Sequence, residues 1–332
     1  MIDETLNFSL WLDFIERNFI ENEFIELVEG RVINGATSNP SIFATSITSS
    51  SAYKEQLESL KGKTPKEKYE ALAIYDIKRA AIALRGDYDE GLDGYVSIEI
   101  DPFLANDIDG SIKEGRRLFK AIDEPNVMIK VPATKAGYEV MRVLLSDGIS
   151  VNATLVFSPQ QARECLSAMK RGIDEFENSG GRRIEAVISV FVSRFDRLLD
   201  RELEKKGLAT SLTGIMNAGN IYNLVQANKT PSIKTLFAST SVKSDKLPKD
   251  YYIRELYGSH LVNTAPLETI EAFRAGNKPT PKLPIPQDRI DEYFNTLAKE
   301  GINMQEVYER LMREGVEAFK DAFKNLLKEL EE

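Results

Sequence analysis

The sequence predicts an α/β protein, a (β/α)8 TIM barrel with additional helices, on three observations. Short apolar, β-branched runs of strand length recur along the chain, segments of helical periodicity separate them, and the runs number eight, at which a tilted parallel sheet closes on itself. An open, dinucleotide-binding sheet is the competing arrangement. Its G-x-G-x-x-G fingerprint is absent, because no two of the 20 glycines stand two positions apart.

The predicted strands are residues 9–14, 32–37, 95–101, 127–133, 150–157, 186–192, 212–217 and 235–240. Each is too short for a helix and is bounded by polar or turn-forming residues. Amphipathic helices are expected over residues 15–28, 112–122 and 159–178, the last with Pro159 in its first turn after Ser158. Asn39-Pro40 opens another helix in the same way, and residues 65–85 form an additional one. The whole of 1–332 is expected to be one barrel domain. Its end, residues 278–332, is a proline-rich stretch (278–286) followed by a helix whose face carries Val316, Phe319, Phe323, Leu326, Leu327 and Leu330. That helix is expected to pack on the outside of the barrel, with a subunit contact or an active-site cover as the alternatives.

Composition narrows the function. The chain has 332 residues, 42% of them apolar and 29% charged, enough for a large core. A net charge of −9 argues against nucleic acid or an anionic membrane as partner. No apolar run reaches the ~20 residues of a membrane span. The acidic start Met1-Ile2-Asp3-Glu4 does not read as a signal peptide, so the expected location is cytoplasmic. A single cysteine, Cys165, excludes an intramolecular disulfide and multi-cysteine zinc sites, and reads as a small core residue. A single histidine, His260, excludes paired-histidine metal motifs, and no G-x-S-x-G elbow is present. Chemistry is left to Lys, Asp, Glu, Asn, Ser, Thr and Arg.

In such barrels the reacting groups project from the C-terminal ends of the strands. Polar residues interrupt the apolar runs there: Asp13, Thr37-Ser38-Asn39, Glu99 and Asp101, Lys130, Asn152 and Thr154, Ser189 with Ser193 and Arg194, and Ser239-Thr240-Ser241. Period-two spacing puts Ser97, Glu99 and Asp101 on one strand face, and Asn152 with Thr154 on another. Lys130 stands between Val127-Met128-Ile129 and Val131-Pro132, where burial of an ammonium costs several kcal/mol unless it is paired or wet. It is either the structural partner of a barrel carboxylate such as Glu99 or a nucleophilic amine. As a nucleophile it must lose its proton, since an ordinary lysine is only about 0.04% neutral at pH 7. Other readings stay open too: Asp13 and Asn39 as helix caps, Asp107 and Asp109 as a capping set or a Mg²⁺ site, and Arg194 with Asp196 and Arg197 as helix-face charge.

Four motifs in chain order, Gly35-Ala36-Thr37-Ser38-Asn39-Pro40-Ser41, Met128-Ile129-Lys130-Val131-Pro132-Ala133-Thr134, Gly148 to Ser158 and Ser189-Val190-Phe191-Val192-Ser193-Arg194, resemble those of the transaldolase family. The resemblance runs from Ser9 to about Phe273. It implies a Schiff base on Lys130 and transfer of a dihydroxyacetone unit from sedoheptulose 7-phosphate to glyceraldehyde 3-phosphate, giving erythrose 4-phosphate and fructose 6-phosphate. Asp13 would then be the acid/base at the C4 hydroxyl, and Glu99 would act through a water, helped by Thr154. Asn39 and Asn152 would hold the retained unit, Ser189 and Phe191 would line the pocket, and Arg194 with Ser239 would grip the phosphate. Some relatives carry a second arginine just after the position of Ser239; here Thr240-Ser241-Val242-Lys243 leaves Lys243 to supply that charge as a point contact. A protonated imine is itself an electron sink, so neither metal nor cofactor is implied, and the partners are sugar phosphates, for a monomer or homodimer. Two alternatives remain: a fructose-6-phosphate-type aldolase releasing free dihydroxyacetone, and a non-catalytic sugar-phosphate-binding barrel.

Overall fold

The computed structural model describes residues 2–331. Eight parallel strands close into one barrel in chain order. They are β1 (Phe8–Leu12), β2 (Gly35–Thr37), β3 (Tyr95–Glu99), β4 (Val127–Pro132), β5 (Val151–Val156), β6 (Ala186–Phe191), β7 (Ile233–Ala238) and β8 (Leu261–Ala265). The closing seam joins β1 to β8, in register from Phe8 opposite Leu261 to Leu12 opposite Ala265.

Two predicted strands are corrected. Residues 212–217 lie at the start of a helix, Thr213–Ala227, and residues 235–240 belong to the seventh strand; the eighth, Leu261–Ala265, was not foreseen. The run Ile215-Met216 is apolar all round because this helix is buried on several sides, and a short apolar run does not distinguish buried helix from strand. Close packing demands glycine there: a Cβ on Gly214 would lie 2.3 Å from the Val192 carbonyl oxygen.

The helices follow their local signals. Pro159–Asn178 begins after Ser158, whose hydroxyl accepts from the Gln161 amide in a capping box. Asn39 caps Pro40–Ser49 by accepting from the Ile42 amide, and Asp107 caps Ile108–Ile122 through Gly110, which settles the capping reading of Asp107. The expected helix over 15–28 is broken at Asn22 into Arg17–Glu21 and Glu23–Glu29. The long helix before β3 spans Pro65–Ala83. Among the described residues no helix is long and apolar enough to cross a membrane.

Inside the barrel, Trp11, Tyr95, Met128, Val187, Leu236 and Val262 form one contiguous buried layer. Gly35 completes it by omission, since a Cβ there would sit 2.5 Å from the Trp11 indole. Two residues further along the same inward faces come Asp13, Thr37, Ser97, Lys130, Ser189 and Thr264. The apolar floor thus gives way to a polar layer near the C-terminal mouth, by strand periodicity alone.

The C-terminal extension packs on the barrel. Leu283 and Ile285 of the proline-rich segment are buried, Ile285 against Gly219, and a helix Gln287–Lys299 follows. The last helix, Met304–Glu329, packs on Pro40–Ser49, on β5 and on the short 3-10 turn Pro102–Leu104, all near the mouth. It also lies against the outer helices Pro65–Ala83 and Ser193–Lys205, so it covers both the barrel's side and its mouth. Its predicted face is what docks: Phe323 meets Tyr69 edge to face with ring centroids 5.3 Å apart, and Lys68 Nζ donates to the Leu330 carbonyl at 2.7 Å.

Candidate active site

Strand register assembles the centre. Lys130 on β4 pairs with Glu99 on β3 and with Asn152 on β5. The Lys130 side chain, in a residue only 6% exposed, donates from Nζ to the Ser38 carbonyl at 3.0 Å and lies 3.7 Å from Glu99 Oε2. Among the described residues neither carboxylate oxygen of Glu99 has a hydrogen-bond partner, nor does the Thr154 hydroxyl. Burial pushes the Glu99 pKa up to about 7, against the opposing pull of Lys130.

Asp13 stands just past the end of β1. Its Oδ1 accepts from the Thr37 hydroxyl at 2.6 Å, and Thr37 Oγ1 lies 2.8 Å from Thr264 Oγ1. Thr37 has one hydroxyl proton and gives it to Asp13, so Thr264 must donate in turn. Burial raises the Asp13 pKa, while Lys130 and the Thr37 bond lower it. Asp13 is no helix cap: the next helix is capped by Glu16, which accepts from the Phe19 amide.

Asp13, Thr37, Lys130, Thr154 and Thr264 open onto a cavity of about 470 Å³, within the usual size of small-molecule sites. Asp13, Asn39, Lys130, Thr154, Ser189, Phe191, Arg194, Ser239 and Lys243 all line it. Three anticipated residues stand elsewhere. Asn152 is fully buried beneath the cavity, its amide donating to Ser97 Oγ at 3.0 Å and its Oδ1 accepting from Ser189 at 2.6 Å. Glu99 lies behind Lys130 and does not line the cavity. Asp101 has left the strand and receives Lys66 at 2.6 Å and the Phe103 amide at 2.9 Å.

The structure adds residues that the motifs did not mark. Thr264 comes from the unforeseen β8, Phe319 from the last helix, and Arg197 from the helix Ser193–Lys205, one turn after Arg194. The short run Leu261-Val262 with β-branched Val262 and Thr264 was the available signal for the first; Phe319 had none beyond its apolar face. The Arg194 pKa is lowered by burial and by Arg197 beside it, and its Nε is buried without a partner. Ser239, in the left-handed region at φ 56°, places its hydroxyl 3.1 Å from Ser193 Oγ. Cys165 is fully buried in the core, and His260 lies outside the cavity, with Nδ1 3.0 Å from Asn7 Nδ2.

Fold and cavity together describe a barrel enzyme with an amine and two carboxylates near its centre and cations on its rim. The chain belongs to the transaldolase/fructose-6-phosphate aldolase family, whose model matches residues 10–330. It is 46% identical over 331 residues to a transaldolase of Campylobacter jejuni subsp. doylei, covering 98% of this chain and 99% of that one. It is 44% identical over 322 residues to a transaldolase of Helicobacter pylori strain P12, covering 97% and 98%. The chain is an enzyme of the transferase type.

Proposed function

We propose that this enzyme transfers a dihydroxyacetone unit from sedoheptulose 7-phosphate to glyceraldehyde 3-phosphate through a Schiff base on Lys130, giving erythrose 4-phosphate and fructose 6-phosphate. The observation that carries this reading is the Lys130 amine, which lines the cavity while Glu99 Oε2 stands 3.7 Å behind it. The neutral amine attacks the ketose carbonyl carbon. Glu99, through a water also held by Thr154, supplies the proton with which the carbinolamine hydroxyl leaves. Both groups are buried with unfilled hydrogen-bonding capacity, which is the condition for holding such a water.

Asp13 then takes the proton of the C4 hydroxyl. The C3–C4 bond breaks, its electron pair enters the protonated imine as an enamine, and the aldose phosphate leaves. When the acceptor arrives, the enamine carbon attacks its aldehyde and Asp13 returns the proton to the new alkoxide. A carboxyl with a raised pKa is suited to this two-way traffic. Asn39 holds hydroxyls of the retained unit, and Asn152 acts from below by fixing Ser189. Phe191 lines the wall. Arg194, Ser239 and Lys243 receive the phosphate. A cytoplasmic enzyme, as monomer or homodimer, fits this reading.

The test is intact-protein mass after borohydride reduction with fructose 6-phosphate, on the wild type and Lys130→Ala. A dihydroxyacetone-sized adduct on the wild type alone is the expected result. Active, folded wild type without an adduct would overturn the imine mechanism.

A further inference from the structure

We propose that Arg197 and Arg194 hold the substrate phosphate jointly, with Lys243 lining the same cavity, so that Arg197 sets the preference for phosphorylated over neutral sugars. The inference rests on the transferase reading above and deepens it at the phosphate end of the same cavity.

Helix geometry is the first support. In Ser193-Arg194-Phe195-Asp196-Arg197 the arginines are three apart and share one helix face. The intervening pair fixes the helix rotation. Phe195 is fully buried, and Asp196 is tied down by the Gly214 amide at 2.9 Å and the Tyr252 hydroxyl at 2.8 Å. With those two turned inward, Arg194 and Arg197 both line the cavity.

Charge is the second support. Several neighbouring cations are paired, Lys246 with Glu204 at 3.8 Å, Lys249 with Glu268 at 2.8 Å, and Arg254 with Asp250, although Arg201, on the same helix as Arg197, is not. Among the described residues Arg194, Arg197 and Lys243 have no ion-pair partner; Glu314 and Glu268 act on Arg194 and Lys243 only from longer range. Two guanidinium groups at i, i+3 repel, which disfavours the folded protein unless something compensates. A phosphate ester near neutral pH carries about −1.5 to −2 charges and three acceptor oxygens. It is the ligand that relieves three cations lining one cavity, and two guanidinium forks suit its geometry better than one.

The test combines a binding and a kinetic measurement on Arg197→Ala and Arg197→Lys. Arg197 is exposed, so neither variant should disturb folding. Titration calorimetry with inorganic phosphate should show binding to the wild type weakened about tenfold or more in Arg197→Ala and partly restored in Arg197→Lys, the scale of a charge-assisted hydrogen bond. KM for fructose 6-phosphate should rise similarly with kcat within about threefold, while KM for the neutral acceptor glyceraldehyde stays unchanged. Unaltered phosphate binding in Arg197→Ala, no phosphate binding by the wild type, or an equal rise in KM for charged and neutral sugars would each overturn the proposal. Failure of the underlying reading looks different: the wild type would bind phosphate yet show no borohydride-trapped adduct.

Discussion

Glu99 and Lys130 face each other across β3 and β4, with Glu99 Oε2 3.7 Å from Lys130 Nζ. That is longer than a charge-assisted hydrogen bond, so the pair is near enough to interact but not closed. Strand pairing sets the separation, and the apolar layer below prevents either side chain from relaxing downward.

Glu99→Gln should slow adduct formation by about 10²- to 10⁴-fold, the usual contribution of a positioned acid/base. With burial holding the carboxyl at about 7, the wild-type rate of dehydration should show an ionisation near that pH which the glutamine variant lacks. Rapid-quench borohydride trapping between pH 5 and 9 measures both. An unchanged profile would remove Glu99 from the proton pathway.

Asp196 anchors the arginine-bearing helix, and burial pushes its pKa up to about 7 despite the bonds from Gly214 and Tyr252. A carboxyl with a raised folded-state pKa binds its proton more tightly in the native protein. Its stabilising contribution is therefore complete below the ordinary carboxylate pKa of about 4 and is lost as pH rises to about 7. Asp196→Asn should cost most stability in acid, with the gap to wild type narrowing by on the order of a few kcal/mol by pH 8. Denaturant unfolding at pH 5 and 8 gives the comparison; a pH-independent gap would refute it.

At the opposite end of the barrel Lys234 pairs with Asp93 and donates to Asn7 Oδ1 at 3.3 Å, with Lys234 and Asp93 both buried. Lys234→Met leaves an uncompensated carboxylate and should destabilise by about 3–5 kcal/mol. Adding Asp93→Asn should recover part of that loss, because asparagine accepts the left-handed backbone found there at φ 70°. Urea denaturation of the single and double variants would show the recovery. Adduct formation by the folded fraction should be unaffected, since Lys234 lies at the N-terminal end of β7.

Phe319, 9% exposed, brings the last helix into the cavity wall. Phe319→Ala should admit water to a bound enamine and raise release of free dihydroxyacetone relative to transfer. Product partitioning with and without acceptor measures this, and an unchanged ratio would limit the helix to a structural role.

Most of the candidate site was legible because strand periodicity is local. Trp11 predicts the direction of Asp13, Met128 that of Lys130, and Val187 that of Ser189. The capping of Pro159–Asn178 by Ser158 was equally plain. Residues 212–217 misled because what packs on them comes from other parts of the chain, as Val192 does against Gly214. Arg197 was read as surface charge for a related reason: nothing between Ser193 and Lys205 announces that Asp196 is the residue turned inward.

Sequence by itself determined the barrel class, the residues sharing each strand face, and the chemistry left available by one cysteine and one histidine. Tertiary structure decided that Leu261–Ala265 closes the sheet, that Asn152 supports the cavity from below, and that Phe319 and Arg197 reach it. It also decided the raised pKa values of Asp13 and Glu99. The division has one physical cause. Side-chain direction within an element follows from backbone geometry over a few residues. Burial, by contrast, depends on which distant segment covers that face and excludes water from it.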